Sequence, residues 1–103
     1  RGRNVVVDSV EEYMGNCNKE KVENNTIFID NYIGHGYGKE NEEIEDTIRA
    51  AMVKYGIPLD STYTGKAFQG MKKYIAENNI KNKNILFIHT GGTPLFFDDL
   101  RRM

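Results

Sequence analysis

Ile85-Leu86-Phe87-Ile88-His89-Thr90-Gly91-Gly92-Thr93-Pro94 runs from an apolar cluster into a hydroxyl and a pair of glycines. Four apolar residues in a row, rich in strand formers and set between a polar run and two glycines, predict a strand buried on both faces, the kind found inside a parallel sheet. The chain then turns at once. A hydroxyl at the strand's C-terminal end followed by two glycines lets backbone and side chain approach a ligand closely, and open α/β sheets bind ligands at that edge. Gly91 and Gly92 serve equally as a plain strand-to-helix connection that demands only unusual backbone angles. A second stretch upstream, Tyr63-Thr64-Gly65-Lys66, favours the ligand reading.

Working outward, Pro94-Leu95-Phe96-Phe97-Asp98-Asp99-Leu100 predicts a short closing helix with Pro94 in its first turn. On the other side, Lys81-Asn82-Lys83-Asn84 is a turn into the strand. Before it lies a helix with Ala67, Phe68, Met71, Tyr74 and Ile75 inward, ended by Asn78 and Asn79. Tyr63 stands at or just before the start of that helix, where orphan N–H groups and the positive dipole end act to lower a phenol from its ordinary pKa of ~10. Gly65-Lys66 is no phosphate loop: that motif needs a glycine where Asp60 stands and Ser or Thr where Ala67 stands.

Further upstream, Ile44, Ile48, Ala51, Met52 and Tyr55 form the apolar stripe of an amphipathic helix. Asn41 is placed to cap it and Gly56 before Ile57-Pro58 ends it. Glu42, Glu43, Glu45 and Asp46 load its first half, a solvated face that complements the dipole without any partner. Thr26-Ile27-Phe28-Ile29-Asp30 is a second β-branched run, read as a strand. It feeds Asn31 to Gly38, where three glycines alternate with larger residues: a loop that holds Tyr37 against a ligand, or a tight connection. His35 has no cluster of cysteines or carboxylates around it, so no metal is expected. Val5, Val6, Val7, Val10, Tyr13 and Met14 fall at helical spacing over residues 5 to 15, although three successive valines also suit a strand. Asn16 to Asn25 is a loop or a short surface helix.

The whole chain of 103 residues is one domain or less, and a globule of this size buries only ~65% of its unfolded surface. A formal charge of −1 gives no electrostatic reason for a nucleic-acid or anionic-membrane partner. No apolar run approaches the ~18 residues of a membrane span, and no basic-then-apolar leader is visible. The single cysteine, Cys17, cannot form an internal disulfide, so a cytoplasmic protein is expected. The order helix, strand, helix, helix, strand, short helix predicts an α/β protein, part of an open three-layer αβα parallel sheet. Two strands are too few for a sheet, and Arg1-Gly2-Arg3-Asn4 opens without turn or cap residues. Both suggest a piece of a larger α/β unit, with 1–25 as leading helix and loop and 26–103 as the motif-bearing segment.

DNYIGHGYG at 30–38, YTGKA at 63–67 and ILFIHTGGTP at 85–94, in this order and spacing, resemble the C-terminal part of the D-cysteine desulfhydrase and 1-aminocyclopropane-1-carboxylate deaminase family. These are pyridoxal 5'-phosphate enzymes of the tryptophan synthase β type. Each motif alone is weak; the three together are specific. The resemblance implies a C-terminal portion of the large cofactor-binding domain. It implies that Thr90, followed by Gly91, hydrogen-bonds the pyridine nitrogen of the cofactor, that Tyr63 stands beside cofactor and substrate, and that Tyr37 lines the substrate pocket. Ring-opening deaminases typically carry glutamate where this chain has Thr64, which favours a desulfhydrase: D-cysteine and water giving pyruvate, sulfide and ammonia. The family's Schiff-base lysine has no match here, and Lys66 is not one. The implied partners are a small amino-acid substrate, the rest of the same polypeptide and, since family members are homodimers, a second copy. Two other classes remain open beside it: a non-catalytic α/β interaction module, and a small phosphate-binding or Rossmann-like half-domain.

Overall fold

A computed structural model describes residues 2–15, 19–29, 32 and 39–102. It contains five helices among the described residues: α1 (Gly2–Met14), α2 (Lys19–Asn24), α3 (Lys39–Tyr55), α4 (Thr64–Glu77) and α5 (Thr93–Arg102). The expected three-layer αβα parallel sheet is not there. No strand occurs among the described residues, and the architecture is helical.

The physical reason lies in what an apolar run needs in order to become a strand. A strand exists only when a neighbour accepts and donates along its length, and the segments 26–29 and 83–90 have no such neighbour among the described residues. The chain at 85–88 is also not buried on both faces. Leu86 is 87% exposed and Ile88 73%, while Phe87 alone turns inward and meets Phe68 edge-on, ring centroids 5.3 Å apart at 89°. Residues 27–29 are exposed in the same way.

Two compact units divide at Asn31 and Tyr32. In the first, α1 packs on α2, and Val7 of α1 is buried. The valine run therefore adopts the helical of its two possible forms, and the polar segment after it contains a short helix.

In the second unit, α3 packs against α4. Ile44, Ile48 and Ala51 of the predicted α3 stripe are buried, together with Leu59 and Phe96, and Ile57, Phe68 and Phe87 close around them. Met52 and Tyr55, expected in the same stripe, are exposed. Gly56 stops α3 as the sequence predicts. At φ +66° its N–H donates to the Met52 carbonyl at 2.9 Å, and the Ile57 N–H reaches back to Ala51 at 3.3 Å, the paired bonds that close a helix C-terminus through a left-handed residue. Asn79, at φ 52°, does the same for α4, with the Ile80 N–H on the Ile75 carbonyl at 3.0 Å. Along α4, Gly70 lies flush against Tyr32: a Cβ there would sit 3.1 Å from the tyrosine's own Cβ. The Tyr32 hydroxyl donates to Glu77 at 2.6 Å near the far end of the helix. Among the described residues, no helix is long and apolar enough to cross a membrane.

Candidate functional site

The turn between α3 and α4 is built around Asp60. Its side chain is completely buried, and both carboxylate oxygens are fully used. Oδ2 accepts the N–H of Thr62 at 2.8 Å and of Tyr63 at 2.7 Å; Oδ1 accepts the Thr64 N–H at 3.1 Å and the Thr64 hydroxyl at 2.7 Å. In return the Asp60 N–H donates to Thr64 Oγ1 at 2.9 Å, and the Asp60 carbonyl accepts from Gly65 at 2.7 Å. Tyr63 is the residue at the N-cap of α4, yet its own side chain makes no capping bond. Asp60 does that work from three residues earlier, placing negative charge on the orphan N–H groups where the dipole favours it. Burial acts to raise the Asp60 carboxyl, but the bonds from the Thr64 hydroxyl and from the N–H groups of Tyr63, Thr64 and Thr62 outweigh it. The net displacement is below the usual aspartate range.

A second carboxylate holds the same turn through Ser61. Asp99, nearly buried on α5, accepts the Ser61 N–H at 2.7 Å and the Ser61 hydroxyl at 2.9 Å, and pairs with Arg102 one turn along its own helix.

The segment 89–92 is fastened to this turn at two points. His89 Nε2 lies 2.7 Å from the Pro58 carbonyl, while His89 Nδ1 accepts from the Gly91 N–H at 3.1 Å. With Nδ1 accepting, Nε2 is the ring nitrogen that donates to the Pro58 carbonyl. Gly92, at φ +88°, is pressed onto Asp60: a Cβ there would sit 2.6 Å from Oδ1. Gly91, at φ +116°, has nothing within 4 Å of the place a Cβ would take. One glycine of the pair is therefore required by close packing, whereas the other leaves an open face.

Of the residues expected at the site, Tyr63, Thr90 and Gly91 belong to these two contacting turns. The Tyr63 side chain is 68% exposed and Thr90 is exposed as well. No hydrogen bond joins the two side chains among the described residues. Tyr37 lies outside the described residues, as do His35, Cys17 and the loop 33–38. The sequence reading passed over Asp60, Asp99 and His89. A signal for the first was present: an aspartate followed by Ser, Thr and a further Thr immediately before an apolar-periodic helix is the grammar of a capped N-terminus.

The sequence matches no protein-family model, and the chain matches no solved structure.

Proposed function

We propose that this chain supplies one wall of the active site of a cytoplasmic, pyridoxal 5'-phosphate-dependent lyase that converts D-cysteine and water to pyruvate, sulfide and ammonia. The observation that supports this is the contact between the two motif-bearing turns, made where Gly92 meets Asp60 and His89 meets Pro58. They are far apart in sequence, yet the Tyr63 turn and the Thr90–Gly91 turn meet. The residues present fit the cofactor to this extent: open space over Gly91, beside the exposed Thr90 hydroxyl, leaves room for a planar ring to lie against the backbone.

When bound, pyridoxal phosphate supplies the electron-accepting ring that stabilises negative charge at the substrate's α-carbon. The chain's own residues do the rest. The Thr90 hydroxyl would hydrogen-bond the ring nitrogen and, being uncharged, would leave the ring a weaker electron sink than a carboxylate partner does. Gly91 lets the backbone approach because it has no Cβ. The Tyr63 phenol moves a proton at its hydroxyl oxygen or holds the departing sulfur, with its backbone fixed by the bond to Asp60. The Schiff-base lysine and the phosphate-binding loop would come from further polypeptide of the same protein, which would act as a homodimer.

The test uses the protein extended by whatever its reading frame encodes upstream, given pyridoxal phosphate and D-cysteine. Release of pyruvate and sulfide is expected. Tyr63→Phe lowers kcat by about 100-fold, in the range of one proton-transfer group, and Thr90→Ala shifts the absorbance of the bound cofactor. Absence of pyruvate from the longer protein overturns the proposal, and so does pyruvate release by the 103 residues alone. Release of 2-oxobutyrate from 1-aminocyclopropane-1-carboxylate, with none of pyruvate from D-cysteine, assigns the deaminase branch instead.

A non-catalytic interaction module has one observation in its favour, the exposed apolar row Ile85, Leu86 and Ile88. On that reading Tyr63→Phe and Thr90→Ala are silent, and Leu86→Ser weakens association with a partner.

A further inference from the structure

α3 and α4 leave between them a cleft of about 220 Å³, away from Tyr63, Thr90 and Gly91. Thr47, Ala50, Ala51 and Lys54 line it from one face of α3, at the spacing of successive helical turns, with Tyr55 beside them. Phe68 and Lys72, four residues apart, line it from α4. The floor is apolar. Ala51 is buried, and Thr47 turns its hydroxyl back onto the Glu43 carbonyl at 2.9 Å, which uses up its one donor.

The rim is positively charged. Each helix contributes one lysine, Lys54 and Lys72, and neither forms an ion pair among the described residues. Their neighbour Lys73 behaves differently, meeting Glu43 at 3.0 Å. Two unneutralised ammonium groups over an apolar, aromatic-walled floor match a molecule with the opposite arrangement, a carboxylate head on a small apolar body. The cleft is smaller than the ~300–1,000 Å³ that encloses a drug-sized ligand, so the body is a single ring or a short alkyl chain.

We infer that this cleft binds a small amphipathic carboxylate, its apolar body on Ala50, Ala51 and Phe68 and its charge on Lys54 and Lys72. The inference goes beyond the proposed lyase chemistry and does not depend on it. A cation of the same shape is repelled by the two lysines, so the site discriminates by charge as well as by size.

The test is titration of the isotope-labelled chain with sodium phenylacetate, followed by backbone amide shifts. Saturable shifts confined to residues 47–55 and 68–72 are expected. The double substitution Lys54→Gln and Lys72→Gln weakens binding by about tenfold, the effect of removing two solvent-exposed charge contacts. Phenethylamine, the matched cation, binds at least about tenfold more weakly than the acid. Lys73→Gln, whose lysine is already paired, leaves the affinity unchanged. Circular dichroism confirms that the variants stay folded, since all three lysines are exposed. Equal binding of acid and amine, an unaffected double variant, shifts at other residues, or no shift at about 10 mM phenylacetate, beyond the millimolar range of weak ligands, each overturns the inference.

Discussion

Replacing Asp60 tests whether the turn before α4 is held as described. The carboxylate accepts four hydrogen bonds and is itself buried. In Asp60→Ala the Thr62 and Tyr63 amides belong to exposed residues and can be rehydrated, whereas Thr64 is only 2% exposed and its donors are stranded. Loss of a helix cap costs about 1–2 kcal/mol, and a stranded buried donor adds about 1–3 kcal/mol, so a loss of about 3 kcal/mol is expected. Asp60→Asn is the more telling variant. It has nearly the same shape but only one acceptor oxygen, so its amide nitrogen must face donors on one side. A loss of about 2 kcal/mol is expected, from roughly two broken bonds at ~1 kcal/mol each.

The assay is urea unfolding followed by helical circular dichroism. For a slope of about 1.5 kcal/mol per molar, the Asn variant's midpoint falls by more than 1 M without a change in slope. The pH dependence gives an independent check. Because the folded-state carboxyl lies below its unfolded value, the unfolded chain binds the proton first. The contribution of Asp60 is present above the ordinary aspartate pKa of ~3.9 and disappears as pH falls through the folded-state value. The stability gap between the parent chain and Asp60→Asn should therefore narrow in acid. A variant within about 0.5 kcal/mol of the parent at neutral pH, the usual range of an inert surface change, would refute the account of the turn.

Gly92→Ala should destabilise by about 3 kcal/mol, since it combines positive-φ strain of about 1–2 kcal/mol with a Cβ 2.6 Å from Asp60 Oδ1; Gly91→Ala, also at positive φ, meets no atom and should cost the strain alone, about 1–2 kcal/mol. Unfolding midpoints of the two single variants compare them directly. Phe87→Ala should cost about 2 kcal/mol through its lost packing on Phe68, whereas Leu86→Ala, at an 87% exposed position, should stay within about 0.5 kcal/mol; equal effects would contradict the one-sided burial of this segment. Tyr32 should ionise above the ordinary phenol range, first because its hydroxyl is hydrogen-bonded to Glu77, with burial and the nearby Glu77 and Tyr74 charges adding to it. Phenolate absorbance in an alkaline titration of Glu77→Gln should show this residue returning toward the usual value. Since the folded-state phenol is raised, the stability it gives is present below the unfolded-state value and is lost as pH rises through the folded-state one.

The helices were legible because their signals are local. Ile44, Ile48 and Ala51 repeat at helical spacing, and Gly56, Asn79 and Pro94 mark ends and a beginning that the structure reproduces. The strands were misread because pairing is not local. Ile85 to Ile88 has the composition of a buried strand, but composition does not say whether a second strand is present to accept its N–H groups. Without one, only Phe87 finds the core. Tyr63 was placed correctly at the head of α4, yet the group meeting the helix dipole there is the Asp60 carboxylate, not the phenol. Nothing in the spacing of residues 60 and 92 indicates that one carboxylate would exclude a methyl group from the other. For the same reason, Gly91 and Gly92 looked alike in the sequence, although their surroundings differ completely.

Two carboxylates share the stretch Ser61 to Thr64: Asp60, in the turn itself, takes Thr62, Tyr63 and Thr64, and Asp99 takes Ser61 from a helix 38 residues further along. The placement of the Tyr63 backbone is thus inherited from the C-terminal helix as much as from its own segment. Lifting α5 would release the Ser61 amide, so hydrogen exchange at that single position should keep time with the undocking of the last ten residues and report, at a distance, whether the chain's tail is seated.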